Sequence, residues 1–286
     1  MVRFGLRVWL SRLLIKAWPF SFAHVRLMAF INPPTLNVDR ITTNLKNFPV
    51  RINYNPNSYI GRYIYYRGSF EEEILIKMRE LLRPGMTFLD VGANIGLHTI
   101  VASHCVREAG NVISIEPQKE VFKQLVKNIE LNNFENVTQL NCALGKEKSE
   151  MRLFHVNEQN SGMATLAPER DGVTHNYEIV EVNRLSDVIS DLKIGYIDAV
   201  KIDVEGAEFE VLKGAEPIFR LHWPSFMLIE CIDEHLKKFS SSSEMLIGYL
   251  REANYKVYAL RLGCWKEIMD DVNLNDDILA VQQKTL

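Results

Sequence analysis

The chain has 286 residues, of which 47% are hydrophobic and 24% are charged, so its composition is that of a soluble globular protein with one large core. The formal net charge is -3 at pH 7. This balance argues against a general nucleic-acid binder, because backbone binding depends on clustered Lys and Arg. We therefore expect a small-molecule partner.

The cysteines and histidines show no pattern typical of a disulfide framework or a metal site. The four cysteines are far apart and form no C-x-x-C pair, which favours a reducing, cytoplasmic compartment. The seven histidines have no H-x-x-x-H or H-E-x-x-H spacing, so no two would meet on one helix face. We expect no metal, although the carboxylates identified below could still gather a divalent ion.

The first 38 residues form a basic segment without Asp or Glu. Arg3, Arg7 and Ser11 are four residues apart, which predicts a polar stripe along one side of a helix. The other side would hold the apolar residues Leu6, Trp9, Leu10 and Leu13. A helix docked on the main domain is the favoured interpretation, and peripheral contact with an anionic membrane is the alternative. We expect residues 1–47 to be an N-terminal extension and residues 48–286 to be the main domain.

Short apolar runs alternate with helical stretches from about residue 48 onward, as in "TFLDV", "GLHTIVASHCVR", "NVISIE" and "KEVFKQLVKNIELN". This alternation predicts a parallel sheet with helices on both faces. Before it, Ser69 and Glu72 are spaced as a capping box for a helix in "SFEEEILIKMRELL". The last two runs, "YKVYAL" and "DILAVQQ", are joined without a helix and are expected to pair antiparallel at one edge.

Residues 151–186 interrupt the alternation. Two strand-like runs, "MRLFHV" and "YEIVEVNRL", flank a long polar loop. The pattern predicts a hairpin-like insertion whose loop acts as a lid or binding loop, because long polar loops in compact domains often bind ligands.

The stretch "FLDVGANIG" places glycines after a buried strand in a pattern close to a nucleotide-binding loop. A dinucleotide loop needs G-x-G-x-x-G, but here Asn94 follows Gly92 where bare backbone must approach a pyrophosphate. The loop still aims a helix N-terminus at a small anion such as a carboxylate. Glu116 lies 20 residues beyond Gly96, where it can accept both ribose hydroxyls. A nucleoside with a carboxylate and no pyrophosphate is S-adenosylmethionine, which we predict as the cofactor.

Three longer stretches, "FLDVGANIGLHT", "ISIEPQKEVFKQLVKNIELNN" and "VKIDVEGAEFEVLKGA", resemble the signatures of the FkbM family of S-adenosylmethionine-dependent methyltransferases. The resemblance covers roughly residues 48–235. It implies the class I methyltransferase fold, a Rossmann-like doubly wound sheet that is mostly parallel with an antiparallel edge strand. Family members typically methylate oxygen atoms of sugars or secondary metabolites. We therefore expect a methyltransferase acting on a hydroxyl of a sugar, glycolipid or secondary metabolite.

The resemblance also implies where the cofactor lies. The loop after the first strand would surround its methionine part, Glu116 its ribose, and the end of the third strand its adenine. Glu71 would meet the ammonium group, with a helix-dipole role in the first turn as an equal alternative. The expected cofactor contacts are Glu71, Asp90, Gly92, Asn94, Gly96, Thr99, Glu116, Pro117, Asn141, Cys142, Ala143 and Asp203.

Acidic residues at two later strand ends are the candidate catalytic groups. Asp203 and Glu205 follow "VKI", and Glu230 ends "MLIE". Ligands of open α/β sheets bind at this edge, and a carboxylate there can remove a hydroxyl proton. His235 is a weaker candidate, and Glu208 is expected to be an exposed or capping residue of the following helix.

Two other functions remain open. A methyltransferase acting on nitrogen is disfavoured, because the sequence lacks an Asn/Asp-Pro-Pro-aromatic turn after the fourth strand. A non-catalytic cofactor-binding module is disfavoured by the intact acids at positions 90, 116, 203 and 205. The sequence leaves the methyl acceptor and the oligomeric state undetermined.

Overall fold

The computed structural model describes residues 6–17, 35–155, 164–165, 177–219, 224–269 and 274–283. The helices are α1 (Leu6–Ala17), α2 (Tyr59–Arg67), α3 (Glu72–Leu81), α4 (Leu97–Val106), α5 (Lys119–Leu131), α6 (Leu185–Asp191), α7 (Glu208–Phe219), α8 (Asp233–Lys237) and α9 (Ser243–Glu252). The strands are β1 (Ile41–Asn44), β2 (Arg51–Tyr54), β3 (Thr87–Val91), β4 (Asn111–Ile115), β5 (Val137–Leu140), β6 (Ala143–Leu144), β7 (Ser149–His155), β8 (Ala164–Thr165), β9 (Tyr177–Asn183), β10 (Ala199–Ile202), β11 (Phe226–Ile232), β12 (Tyr255–Arg261), β13 (Cys264–Glu267) and β14 (Asn275–Gln282).

An eight-stranded sheet with the order β13-β12-β14-β11-β10-β3-β4-β5 forms the centre of the molecule. The strands from β11 to β5 run parallel, whereas β14 pairs antiparallel with both β11 and β12. The predicted doubly wound sheet with an antiparallel edge is confirmed. Because β3 and β10 are neighbours although far apart in sequence, their carboxyl ends meet at the point where the strand order reverses.

Both faces of this sheet are covered. Phe88 of β3 belongs to an apolar cluster with residues of α2 to α5, and the adjacent Leu89 belongs to a second cluster with residues of α6, α7 and α9. Successive strand residues point to opposite faces, so a strand that must bury both faces reads as a continuous apolar run. This explains why the strand sequences lack alternation.

The predicted hairpin insertion is also present. β7 pairs antiparallel with β9, and together with β6 and β8 they form a separate four-stranded sheet. Val180 and Val182 are buried on its inner face, whereas Tyr177 and Ile179 are exposed. Apart from residues 164–165, the loop predicted to act as a lid lies outside the described residues.

The N-terminal helix α1 packs against α2, in agreement with the docked interpretation. The predicted orientation of this helix is wrong at the residues whose side chains the structure describes. Ser11 is buried together with Ile15, while Leu10, Leu13 and Leu14 are 45%, 49% and 56% exposed. Positions 11 and 15 are one turn apart and form a narrow contact stripe, whose direction depends on the partner helix. None of the described helices is both long enough and apolar enough to cross a bilayer.

The start of α3 differs from the predicted capping box. The N-cap residue is Glu71, which has the left-handed conformation with φ 49° and makes no side-chain capping bond. The hydroxyl of Ser69 donates instead to the carbonyl of Phe70 at 3.5 Å. The left-handed residue turns the chain sharply, so Ser69 lies outside capping position. As a consequence, the Glu71 side chain is available to the cavity described below.

Candidate active site

A cavity of about 550 Å³ lies at the carboxyl ends of β3, β4, β10 and β11. This volume is within the usual range for small-molecule sites. Ten of the predicted site residues line it, namely Glu71, Gly92, Asn94, Glu116, Pro117, Cys142, Ala143, Asp203, Glu205 and Glu230. Residues that precede the first sheet strand also line it, namely Arg40, Asn55, Ser58, Tyr59, Ile60 and Phe70. None of them was predicted from the sequence as a cofactor or acceptor contact.

The four remaining predicted contacts do not line the cavity and support it from behind. They are Asp90, Gly96, Thr99 and Asn141. Asp90 is fully buried, and its Oδ2 accepts a hydrogen bond from the Thr99 hydroxyl at 2.6 Å. Gly96 begins α4 with φ 89°, and a Cβ there would lie 2.6 Å from Leu125 Cδ1. These residues fix the shape of the loop and do not face a ligand in the cavity. Among their polar atoms, Asp90 Oδ1 is buried without a protein partner.

Gly92 is the tightest point of the loop. Its φ is 79°, and a Cβ there would lie 1.7 Å from the carbonyl oxygen of Asp203. Only glycine allows this conformation and this approach. The close contact joins the ends of β3 and β10, so the loop after β3 and the acids after β10 share one cavity.

Glu116 is held by the loop that it faces. Its Oε2 accepts from the backbone N–H of Asn94, and its Oε1 accepts from that of Gln118, both at 2.9 Å. Burial raises the pKa of Glu116 to about 7, and the two N–H groups oppose that shift. Each carboxylate oxygen retains a second lone pair, so the residue can still accept from ligand hydroxyls.

The wall beside Glu116 is mainly apolar. Pro117, Cys142, Ala143 and Leu144 line it. Asn141 lies behind them and donates to the carbonyl oxygens of Glu116 and Pro117, both at 2.9 Å. This amide therefore ties the ends of β4 and β5 together beside the apolar wall.

Lys201 is a site residue that sequence analysis missed. It lies within β10 with only 5% of its side chain exposed, and its Nζ is 2.9 Å from Asp203 Oδ2. Burial opposes its charge, but Asp203, Asp90 and Glu71 raise the pKa of Lys201 above its ordinary value. The sequence signal that could have identified it is a charged residue in the apolar run "AVKIDV". A lysine buried in such a strand requires a carboxylate partner.

Glu71 and His98 form a second buried contact near this lysine. Glu71 Oε2 is 3.1 Å from His98 Nε2, although the two groups lack hydrogen-bond alignment. Burial raises the pKa of Glu71 to about 7, and burial together with Lys201 lowers the pKa of His98 to about 3. His98 is therefore neutral at pH 7, and it does not balance the charge of Glu71.

The turn after β10 presents Glu205 to the cavity. Glu205 has φ 56°, and burial raises its pKa to about 7. The turn is held by Glu208, which accepts from the N–H groups of Val204 and Gly206 at 3.0 Å. Glu208 was expected to be an exposed or capping residue of the helix, but it is buried and bonds to the turn that precedes the helix. A Cβ at Gly206 would lie 2.4 Å from the His235 carbonyl oxygen, so this glycine allows α8 to approach the turn.

Glu230 and His235 complete this end of the cavity. His235 Nδ1 is 3.4 Å from both Glu205 Oε2 and Glu230 Oε2. Burial, and then the charges of Asp203 and Glu205, raise the pKa of Glu230 to about 11. Burial and the charge of Lys238 lower the pKa of His235. Acidic groups are thus crowded at the ends of β10 and β11 beyond what one buried lysine can neutralise.

Comparison with known proteins identifies relatives. The family model of the Methyltransferase FkbM domain matches residues 90–257. "Methyltransferase 1" of Beauveria bassiana is 30% identical over 152 residues, covering 47% of this chain and 59% of the relative. "31-O-demethyl-FK506 methyltransferase FkbM" of Streptomyces tacrolimicus is 29% identical over 185 residues, covering 56% and 69% of the two chains. The alignments span only about three fifths of the length of the first curated relatives.

Among solved structures, SMU.1697c, a putative methyltransferase from Streptococcus mutans in complex with SAH, has a TM-score of 0.44 at 10% identity, covering 74% of this chain and 97% of that one. A SAM dependent methyltransferase from Aquifex aeolicus has a TM-score of 0.39 at 17% identity, covering 74% and 88%. The match of the family model spans more than half of the chain. The chain belongs to the FkbM methyltransferase family, with the class I methyltransferase fold and S-adenosylmethionine as its cofactor.

Proposed function

We propose that this chain transfers the methyl group of S-adenosylmethionine to a hydroxyl group of a sugar, a glycolipid or a secondary metabolite. The observation that carries the proposal is that one cavity holds both the glycine loop with Glu116 and the acids Asp203, Glu205 and Glu230. One half suits a nucleoside and the other suits a hydroxyl group. The names of the relatives, which include a demethyl-FK506 methyltransferase, support a small-molecule acceptor.

The residues of the first half fit the cofactor. Glu116 faces the cavity with free lone pairs for two ribose hydroxyls, and the slot of Pro117, Cys142 and Ala143 suits adenine. Glu71 and Asp203 lie where an ammonium group would reduce their mutual repulsion. The bound cofactor supplies a methyl group activated by a positively charged sulfur.

The residues of the second half would position the acceptor. Methyl transfer needs the acceptor oxygen in line with the methyl carbon and water kept away. A hydroxyl is a poor nucleophile until its proton leaves, and a carboxylate at hydrogen-bond distance takes that proton as the new bond forms. Asp203 is already bonded to Lys201, so Glu205 is the better proton acceptor. Glu230, whose pKa is raised to about 11, would hold the acceptor oxygen by donating a hydrogen bond.

The proposal is tested by incubating the full chain with methyl-labelled S-adenosylmethionine and fractionated cell extract. We expect label in a small molecule or glycolipid whose new methyl group resists mild base but is released by ether cleavage. Label on an amine would favour the nitrogen alternative. Tight binding of S-adenosylhomocysteine without transfer to any fraction would favour the non-catalytic module.

We also propose that residues 48–286 form the catalytic domain and that residues 1–47 extend it. The extension contributes to the site, since Arg40 lines the cavity and β1 pairs with β2. The exposed leucines of α1, Leu10, Leu13 and Leu14, support peripheral contact with a membrane surface. Sedimentation with anionic and neutral vesicles tests this part, and absence of the protein from both vesicle pellets would contradict it.

A further inference from the structure

Three side chains from separate segments converge at the acceptor end of the cavity. Glu205 follows β10, Glu230 lies on β11, and His235 belongs to α8. One donor atom from each residue lies within 4.8 Å of the donor atoms of the other two. All three residues are partly buried and line the cavity. We call this set the Glu-Glu-His cluster.

The distances within the Glu-Glu-His cluster are long for direct bonding. A single Nδ1–H of His235 can serve one carboxylate at a time, yet both carboxylates lie 3.4 Å from Nδ1, and the contact with Glu230 is a long hydrogen bond. Charge-assisted N–H···O bonds are normally about 2.7–2.9 Å long. With metal–ligand bonds of about 2.1 Å, neighbouring ligand atoms are about 3.0–3.4 Å apart. The two distances from Nδ1 match this spacing, and the two carboxylate oxygens lie within 4.8 Å of each other.

The charges around the cluster also favour a bound cation. Glu230 has Asp203, Glu205, Glu208 and Asp277 as acidic neighbours. Of the basic side chains nearby, Lys201 already donates to Asp203, and Lys238 acts on both Glu205 and His235. Acidic groups therefore outnumber the basic ones around the cluster, which favours a bound cation.

We propose that Glu205, Glu230 and His235 bind a divalent cation of the Mn²⁺ or Zn²⁺ type, with open coordination positions toward the cavity. Mixed carboxylate and imidazole donors favour these ions over Ca²⁺, which takes oxygen ligands. The binding follows from the cluster itself. The role of the cation, to hold an oxygen of the methyl acceptor, rests on the proposed function.

This site reverses the expectation of no metal drawn from histidine spacing. Its ligands come from three segments, and Gly206 is what allows the helix of His235 to reach Glu205. Motifs such as H-E-x-x-H detect ligands on one helix. Ligands that come from two different strand ends have no fixed spacing in the sequence, so such motifs do not detect them.

The test is calorimetric titration of Mn²⁺, and separately of Zn²⁺, into the full chain after removal of metals with a chelator. We expect one ion per chain for the wild type. His235→Ala and Glu230→Gln should each weaken the affinity by at least about tenfold. Glu234→Gln is the matched control, because Glu234 is an exposed acid on the same helix outside the cluster, and it should bind like the wild type.

The same proteins are titrated with S-adenosylhomocysteine and melted thermally. If the cofactor product binds but neither ion binds the wild type, the metal site is wrong and the proposed function stands. If an ion binds and the cofactor product does not, the proposed function fails and the metal site stands. Equal ion affinity in folded wild type, His235→Ala and Glu230→Gln also overturns the site. Glu205→Gln replaces any variant that does not fold.

Discussion

The two halves of the cavity treat their carboxylates differently. In the cofactor half, Glu116 has a backbone N–H at 2.9 Å from each of its oxygens. In the acceptor half, Glu205 and Glu230 share one imidazole nitrogen at 3.4 Å. The oxygens of Glu116 have backbone partners, whereas Glu205 and Glu230 lie among an excess of acidic groups. Under the proposed function, this contrast means that the nucleoside site is preorganised and that the acceptor site is completed by its ligand.

Backbone geometry accounts for this contrast. Backbone N–H groups at the start of α4 and α5 are fixed by the helices, so a carboxylate placed between them is satisfied regardless of what binds. The ends of β10 and β11 supply mainly acidic side chains. Repulsion between such groups raises their pKa values and remains until a cation or proton enters.

The largest effect is expected at the glycine that joins the two halves. Gly92→Ala should lower the free energy of unfolding by about 3 kcal/mol, because its Cβ would lie 1.7 Å from the Asp203 carbonyl. Gly85→Ala is the matched control, since Gly85 has φ 87° with no atom within 4 Å, and it should cost only about 1 kcal/mol. Urea unfolding measures both. Similar losses for the two variants would mean that the two loops are not in tight contact.

Substitutions in the acceptor half should affect turnover before binding. Glu205→Gln and Glu230→Gln should lower single-turnover methyl transfer by roughly a hundredfold, with the affinity for S-adenosylhomocysteine nearly unchanged. Asp203→Asn should impair both quantities, because Asp203 lies between the halves and is bonded to Lys201. Glu234→Gln serves as the control. Wild-type rates in both Gln variants would show that these acids are not catalytic.

Substitutions in the cofactor half should weaken cofactor binding with little change in the fold. Glu116→Ala should weaken S-adenosylhomocysteine binding by about 1.5 to 3 kcal/mol, the range for lost charged hydrogen bonds. Glu120→Gln is the control, because Glu120 lies at the cavity rim and is paired with Lys123 in solvent. Calorimetry gives both affinities. Unchanged affinity with a lower melting temperature would make Glu116 a structural residue.

The smallest effect is a dependence of stability on pH. Glu116, Glu205 and Glu208 have pKa values of about 7 in the fold against an ordinary value of 4.5. The folded state therefore holds more protons than the unfolded state between pH 4.5 and pH 7. The contribution of these groups to the stability of the protein is highest below pH 4.5 and declines as the pH rises through 7. We expect the melting temperature to fall from pH 5 to pH 8.

A variant sharpens this measurement. Glu230→Gln removes the most crowded carboxylate, so its melting temperature should exceed that of the wild type at pH 8. Glu234→Gln, in solvent, should follow the wild-type curve. A wild-type melting temperature that stays constant or rises over this range would show that these carboxylates are not crowded in the folded protein.

Much of the cofactor half was predictable from local sequence. An apolar strand followed by Asp90, Gly92 and Asn94 specifies a strand, a tight turn and a helix start, and each depends on neighbouring residues. The position of Glu116 follows from the length of one helix and one strand. The cap of α3 was predicted wrongly at Ser69, because the left-handed conformation of Glu71 depends on packing rather than on spacing.

The grouping of residues in the acceptor half could not be predicted without the tertiary structure. Sequence analysis found Asp203, Glu205 and Glu230 as acids at strand ends, but their grouping with His235 requires β10 and β11 to be neighbours and α8 to approach past Gly206. Lys201 was overlooked, since its partner Asp203 and its burial between neighbouring strands are visible only in the folded sheet. The exposed face of α1 likewise depends on how it packs against α2.

The fold class and the glycine loop of this protein could be predicted from its sequence, because apolar periodicity and glycine positions act over a few residues and need no distant partner. The family followed from the resemblance of three longer stretches. Which charges meet depends on the tertiary structure. The acids at positions 203, 205 and 230, Lys201 and His235 come from two strands and a helix, and their distances are set by the packing of the sheet. Electrostatic interactions depend on those distances and on burial, neither of which is written in residue spacing.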